Sequence, residues 1–253
     1  MLNLFHRNLN RMVLFVALVA AGVMLFWRDF MQIACANIWL NGVIIGTTLF
    51  GIIICFVQIF GLLPDWRWVR QFIGGRVAPA PRGVMRTAAI MIGNAPGKMS
   101  PDAFGELMDL IAVRFDDSRE TVRYITNTLI FLGLLGTFWG LILTVGGFAE
   151  MIGGLDMADE SVLDALAAGL SRPLYGMATA FTSSLMGLAG SLVVGFLGLQ
   201  VNMAQNAMMN TFQDYVAAHT EMRTASYTDV RASARDLNGA VRGLGKIMGI
   251  VRK

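Results

Sequence analysis

Three long stretches of this chain carry no charged residue: between Asp29 and Asp65, between Arg123 and Glu150, and between Arg172 and Asp214. Each exceeds the roughly 18 apolar residues that mark a transmembrane helix. A shorter apolar run, about 12–27, is bounded by Arg11 and Arg28. Four spans are therefore expected, at about 12–27, 38–63, 125–148 and 173–199, with the second ended by Pro64 and Asp65. The first two form a hairpin. Only 15% of the chain is charged, against roughly a quarter for a soluble domain.

The first run also has features of a signal peptide, with Arg7 and Arg11 as the basic region and "ACA" at 34–36 as a cleavage site. Trp27, Arg28 and Asp29 separate that tripeptide from the apolar run, and the run is long for a signal peptide, so a retained span is expected. Arg7 and Arg11 precede span one, nine basic residues lie in 64–124, and seven follow span four. Basic residues stay on the cytoplasmic side. Both termini and the 64–124 loop are thus expected in the cytoplasm. The 149–172 loop, with Glu150, Asp156, Asp159, Glu160 and Asp164, is expected outside. The net charge of +3 then reflects topology rather than a nucleic-acid surface. Cys35 and Cys55 have no metal-ligand spacing and read as small apolar residues, not as a disulfide.

The chain divides into an N-terminal transmembrane hairpin (1–63), a cytoplasmic loop (64–124), a helix pair (125–199) and a cytoplasmic C-terminal helix and tail (200–253). Residues 64–101 hold five of the six prolines and read as turns and irregular chain. At Ser100 the pattern changes. Ser100 is a candidate N-cap and Pro101 suits the first helical position. Phe104, Leu107, Met108, Ile111 and Phe115 then recur at helical spacing, so a helix from about 100 is expected to run into span three. Span four is expected to continue likewise, with Val201, Met208, Phe212, Tyr215 and Val216 as its apolar stripe. The expected fold is an all-α membrane protein with long cytoplasmic extensions of spans three and four.

Little in the chain supports catalysis. There are two histidines, His6 and His219, and no metalloprotease, phosphate-loop or nucleophile-elbow motif. No enzyme activity, cofactor or metal site is expected, and the acidic 156–164 loop reads as solvated. The informative pattern lies in spans three and four. Gly133, Thr137, Gly140 and Thr144 share one helical face, with Gly136 beside it. Gly176, Thr179, Ser183, Gly187 and Gly190 share another, widened by Ala180, Ser184 and Ser191. Small residues mark where helices approach closely in lipid. The plain reading is close packing at Gly133, Gly136, Gly140, Gly176, Gly187 and Gly190. The functional reading is a narrow polar path along Thr137, Thr179, Thr144, Ser183 and Thr182, since Thr137 and Ser183 fall at similar depth. No Asp, Glu, Lys, Arg or His lies within any span. A proton relay usually needs one, so any titrating carboxylate must come from another chain.

The core "GLLGTFWGLI" (133–142), the acidic outer loop and "GLSRPLYGMATAFTSSLMGLAGSLVVGF" (169–196) resemble the MotA/TolQ/ExbB proton-channel family. The core motif is closest to the TolQ/ExbB branch, and the four spans are closer to MotA. The resemblance implies a ring of five copies in the bacterial inner membrane. That ring would surround a single-span ExbD/TolR/MotB-like subunit, in two copies, that carries a membrane aspartate. It further implies that Thr137 and Thr179 take the pore-threonine positions and that protons, or alternatively sodium ions, drive rotation or force on the envelope. ExbB-like members carry a glutamate near the start of the last span. This chain has Leu174 there, with Arg172 nearby. Two other readings stand beside this one: a structural scaffold whose small faces only pack, and a solute permease. The permease reading is weakened by the lack of an intramembrane charge or a broken-helix pair.

Overall fold

The computed structural model describes residues 2–28, 31, 37–76, 79–92, 101–154, 166 and 169–219. Among these, every regular element is a helix: α1 (Leu2–Leu25), α2 (Ile38–Ile73), α3 (Arg86–Ile92), α4 (Pro101–Gly153) and α5 (Ser171–His219). All but α3 are long and apolar enough to cross a membrane. Ser100, Cys35, the acids at 156–164 and the tail from 220 lie outside the described residues.

The second helix differs from the sequence expectation. It starts at Asn37, whose side-chain oxygen accepts from the Leu40 amide at 3.3 Å. It then passes through Pro64 and ends only at Ile73, closed by Gly74 and by Gly75 at φ +68°. Proline removes one helical hydrogen bond and crowds the turn before it. The turns that follow outweigh that cost, because Trp66, Trp68, Val69 and Phe72 are all buried. Trp68 stacks on Phe72 with ring centroids 5.1 Å apart, and both lie against Phe212 of α5 at 6.1 Å. The 64–101 segment is thus helical over 64–73 and again in α3, where irregular chain was expected. At about 1.5 Å per residue, α2's 36 residues reach about 54 Å. A bilayer core takes about 20 residues, so the end carrying Asp65, Arg67 and Arg70 lies beyond it.

No break separates the apolar part of α4 from the residues before it, and none separates that of α5 from those after it. With 53 and 49 residues they extend about 80 and about 74 Å. The two run antiparallel, which is plain from the pairs that meet: Gln205 with Ser118, Gly198 with Val122, Gly187 with Gly133, Ala180 with Gly140, and Pro173 with Gly147. Helix α2 lies parallel to α5, with Asn41 at Ser183, Thr48 at Gly190 and Gly51 at Val194. Helix α1 packs on α5, where Phe15 meets Phe196 at 4.1 Å between ring centroids. Cys55 is buried and free between α2 and α5, with its sulfur 4.0 Å from the Val194 carbonyl oxygen.

Candidate functional site

The seam between α4 and α5 is built from residues too small to hold the backbones apart. A methyl group added at Gly140 would sit 2.5 Å from the Ala180 amide nitrogen and 2.6 Å from the Gly176 carbonyl oxygen. One added at Gly187 would sit 2.7 Å from the Gly133 Cα, and one at Gly176 2.5 Å from the Thr144 amide nitrogen. At Gly136 it would run into Ser183 of α5 and come within 2.7 Å of Leu40 of α2. Gly190 abuts Thr48 of α2 most closely, with Leu129 of α4 at 3.5 Å from an added methyl. All six glycines singled out by spacing therefore sit at helix contacts.

The five hydroxyls divide into different settings. Thr144 is buried; its Oγ1 donates to the Gly140 carbonyl at 2.8 Å and reaches the Pro173 carbonyl at 3.4 Å. Thr179 is also buried and donates to Tyr175 of its own helix at 2.9 Å. Ser183 is fully buried and donates to Asn41 Oδ1 at 2.9 Å. Thr137 is only half-buried and donates to the Leu134 carbonyl at 2.6 Å. Thr182 is half-buried and donates to Ala178 at 2.9 Å and Thr179 at 3.1 Å. Back-bonding of this kind lets a hydroxyl sit in an apolar helix without an orphaned donor.

Helical geometry explains the division. Each residue turns the helix by about 100°. Gly136 faces both Ser183 and α2, so Thr137 is turned to the flank of the seam away from α2. On α5, Ser183 faces α2, so Ser184 lies on the same side as Thr137 and Thr182 turns further from α4. Thr137 and Thr182 are thus not brought together, although Thr137 and Ser183 share one depth, since Gly136 touches Ser183. Helices α1 and α2 cover the other flank. There Val19, Val23, Ile44, Thr48, Met186 and Val193 line an apolar cleft of about 280 Å³ between α1, α2 and α5.

Asn41 is the residue that sequence reasoning missed. It is fully buried in span two and accepts the Ser183 hydroxyl. Its signal was available: an amide inside a charge-free run is itself costly in lipid. Further along the bundle, Gln58 Nε2 donates to the Ser118 carbonyl at 3.1 Å, and Gln205 Nε2 to the Ser118 hydroxyl at 3.3 Å. Arg119 bonds Asn206 there and pairs with Asp116 at 3.0 Å. These groups form a polar belt across α2, α4 and α5. At the opposite end of the seam, Arg172 pairs with Glu150. Leu174 is exposed.

Beyond the belt, Asp65 Oδ2 accepts the Val84 amide at 3.0 Å, and its carboxylate occupies the space a side chain at Gly83 would need. Burial raises this carboxyl to about pKa 6, against the lowering effect of hydrogen bonds from the Val84 and Met85 amides. No cluster of three metal-ligating side chains occurs among the described residues. Comparison with protein-family models, curated proteins and solved structures yields no match.

Proposed function

We propose that this chain is the ring-forming subunit of an ion-driven motor or energiser in a bacterial inner membrane, with both termini cytoplasmic. In this reading five copies surround the transmembrane helices of two single-span partner subunits, and proton flow through a partner aspartate drives rotation or force on the envelope. The observation that carries it is the bare flank of the α4–α5 pair. Helices α1 and α2 pack on one side of that pair, which leaves the side holding Thr137 uncovered. Placing α1 and α2 on the outside of a ring turns Thr137 and Ser184 toward the lumen. Thr144, Thr179 and Ser183 then stiffen the wall behind them. The four spans contain no Asp, Glu, Lys, Arg or His, so the wall has a hydroxyl to solvate an ion or a water file but no carboxylate or imidazole to relay a proton near neutral pH.

The test is partner-dependent proton flux in proteoliposomes containing the chain and its co-purified single-span subunit. Thr137→Ala is expected to cut that flux by about tenfold, in line with one lost hydrogen bond to a charged group, while ring assembly persists. Unchanged flux would remove Thr137 from the ion path. A second reading, a packing scaffold, is favoured by the hydroxyls of Thr144, Thr179 and Ser183 all being used inside the chain. A ring that purifies with no central helices under any condition would select it.

A further inference from the structure

A second cleft, of about 690 Å³, opens between the start of α1 and the middle of α5. One turn separates Arg7 and Arg11 on α1, and both residues line this cleft. Both are exposed, and neither has a hydrogen-bond or ion-pair partner among the described residues. From α5, Gln200 lines the same cleft; it is 4% exposed, and its Oε1 is buried without a partner. Leu14, Phe15 and Phe196 continue the wall in the direction of α1's apolar run. The order is therefore cations, then an apolar surface, at the start of a helix long and apolar enough to cross a membrane.

We propose that this cleft binds one anionic phospholipid of the leaflet that α1 enters first. Its phosphate diester sits between Arg7 and Arg11, and an acyl chain lies along Leu14, Phe15 and Phe196. Charge complementarity selects the phosphate. The two cations select a headgroup of net negative charge, such as that of phosphatidylglycerol, over a zwitterionic choline headgroup. The apolar wall selects a lipid over free phosphate. The site is separate from the α4–α5 seam and does not depend on ion conduction.

The experiment is native mass spectrometry of the full chain in detergent, titrated with phosphatidylglycerol or phosphatidylcholine. The wild type is expected to retain phosphatidylglycerol in preference to phosphatidylcholine. Equal retention of the two lipids overturns the proposal. Replacing both arginines (Arg7→Ala with Arg11→Ala) is expected to weaken phosphatidylglycerol retention about 30-fold, from about 1 kcal/mol per basic residue at about 1.4 kcal/mol per tenfold. Arg67→Ala with Arg70→Ala, on the exposed face of α2, is expected to leave retention unchanged. An alanine pair that binds like wild type overturns the site. The charge-keeping pair Arg7→Lys with Arg11→Lys is expected to keep most of the retention. A loss equal to the alanine pair's assigns the effect to packing and also overturns it. Displacement by excess inorganic phosphate as effective as by the lipid itself overturns the assignment to lipid.

Discussion

Helices α4 and α5 lie side by side over most of their length, yet they are joined by two different chemistries. Where they are apolar enough to cross a membrane, the touching residues are Gly133, Gly136, Gly140, Gly176, Ala180, Ser183 and Gly187. The large side chains there, such as Phe131, Leu135, Leu141, Phe181, Leu185 and Leu192, point outward. From Leu129 on α4 and Val194 on α5 toward the belt at Ser118 and Gln205 the pattern changes, since Leu129, Val194 and Leu197 are fully buried, and beyond the belt it is inverted. Leu107, Ile111, Phe115, Met208, Phe212 and Val216 are buried in one cluster with Trp66, Trp68, Val69 and Phe72 of α2. Lipid tails give an apolar side chain no reason to hide, so helices there gain from close backbone approach. In water, burying a large apolar side chain is worth about 1.5–3 kcal/mol, and the same helices gain from bulk. The change from small to large contacts therefore begins within the apolar runs and is complete beyond the belt.

Four substitutions would break or sharpen this contrast. Phe212→Ala is expected to have the largest effect, a loss of about 3–5 kcal/mol. It would be measured by denaturant unfolding in mild detergent and should fall in the denaturant-sensitive transition. A smaller cost than that of any seam substitution would void the contrast. Gly140→Ala, which places a methyl against the α5 backbone, is expected to cost about 1–3 kcal/mol by overpacking. Its control is Gly105→Ala, where the added methyl meets nothing within 4 Å and the helix should gain up to about 1 kcal/mol.

The third substitution is Asp65→Asn. In the folded chain this carboxyl titrates near pH 6, against an ordinary value of 3.8. Between those limits the folded state holds a proton that the unfolded state has released. Stability therefore increases as pH falls from about 6 to about 4, and the burden of the buried charge is fully present above pH 6. The asparagine variant keeps an acceptor for the Val84 amide. It is expected to melt higher than wild type at pH 8 and to match it at pH 4. Parallel melting curves at all pH values would show that the carboxylate is not confined. Ser183→Ala should have the smallest effect, about 0.6 kcal/mol for one interhelical bond within the bilayer. Pairing it with Asn41→Ala in a double-mutant cycle separates that bond from the packing of the serine.

The four apolar runs and the long continuations of α4 and α5 were legible because charge-free length and helical spacing are local properties. The course of α2 beyond Pro64 was not. Proline and the arginines that follow it argue for a stop, whereas Trp66, Val69 and Phe72 at helical spacing argue for continuation, and contact with Phe212 from a distant part of the chain decides between them. In the seam, spacing placed Gly133, Thr137, Gly140 and Thr144 on one stripe. The contacts instead run through Gly133, Gly136, Gly140 and Thr144, and Thr137 stands to one side. A stripe drawn on a single helix has a width of about one residue on either side. Only the partner helix fixes its centre. Asn41 is inconspicuous in the sequence because an uncharged amide leaves the charge-free run unbroken.

Because α4 passes from its seam to Pro101 without interruption, any tilt at the glycine contacts would be carried along its whole length. Thr137 lies 36 residues from Pro101, which makes an arm of about 54 Å. A tilt of about 5° at the seam swings the far end by about 4–5 Å over that length, enough to change what it touches. The large side chains clamp α4 to α5 and α2 at that end, so such a tilt would displace the three helices together.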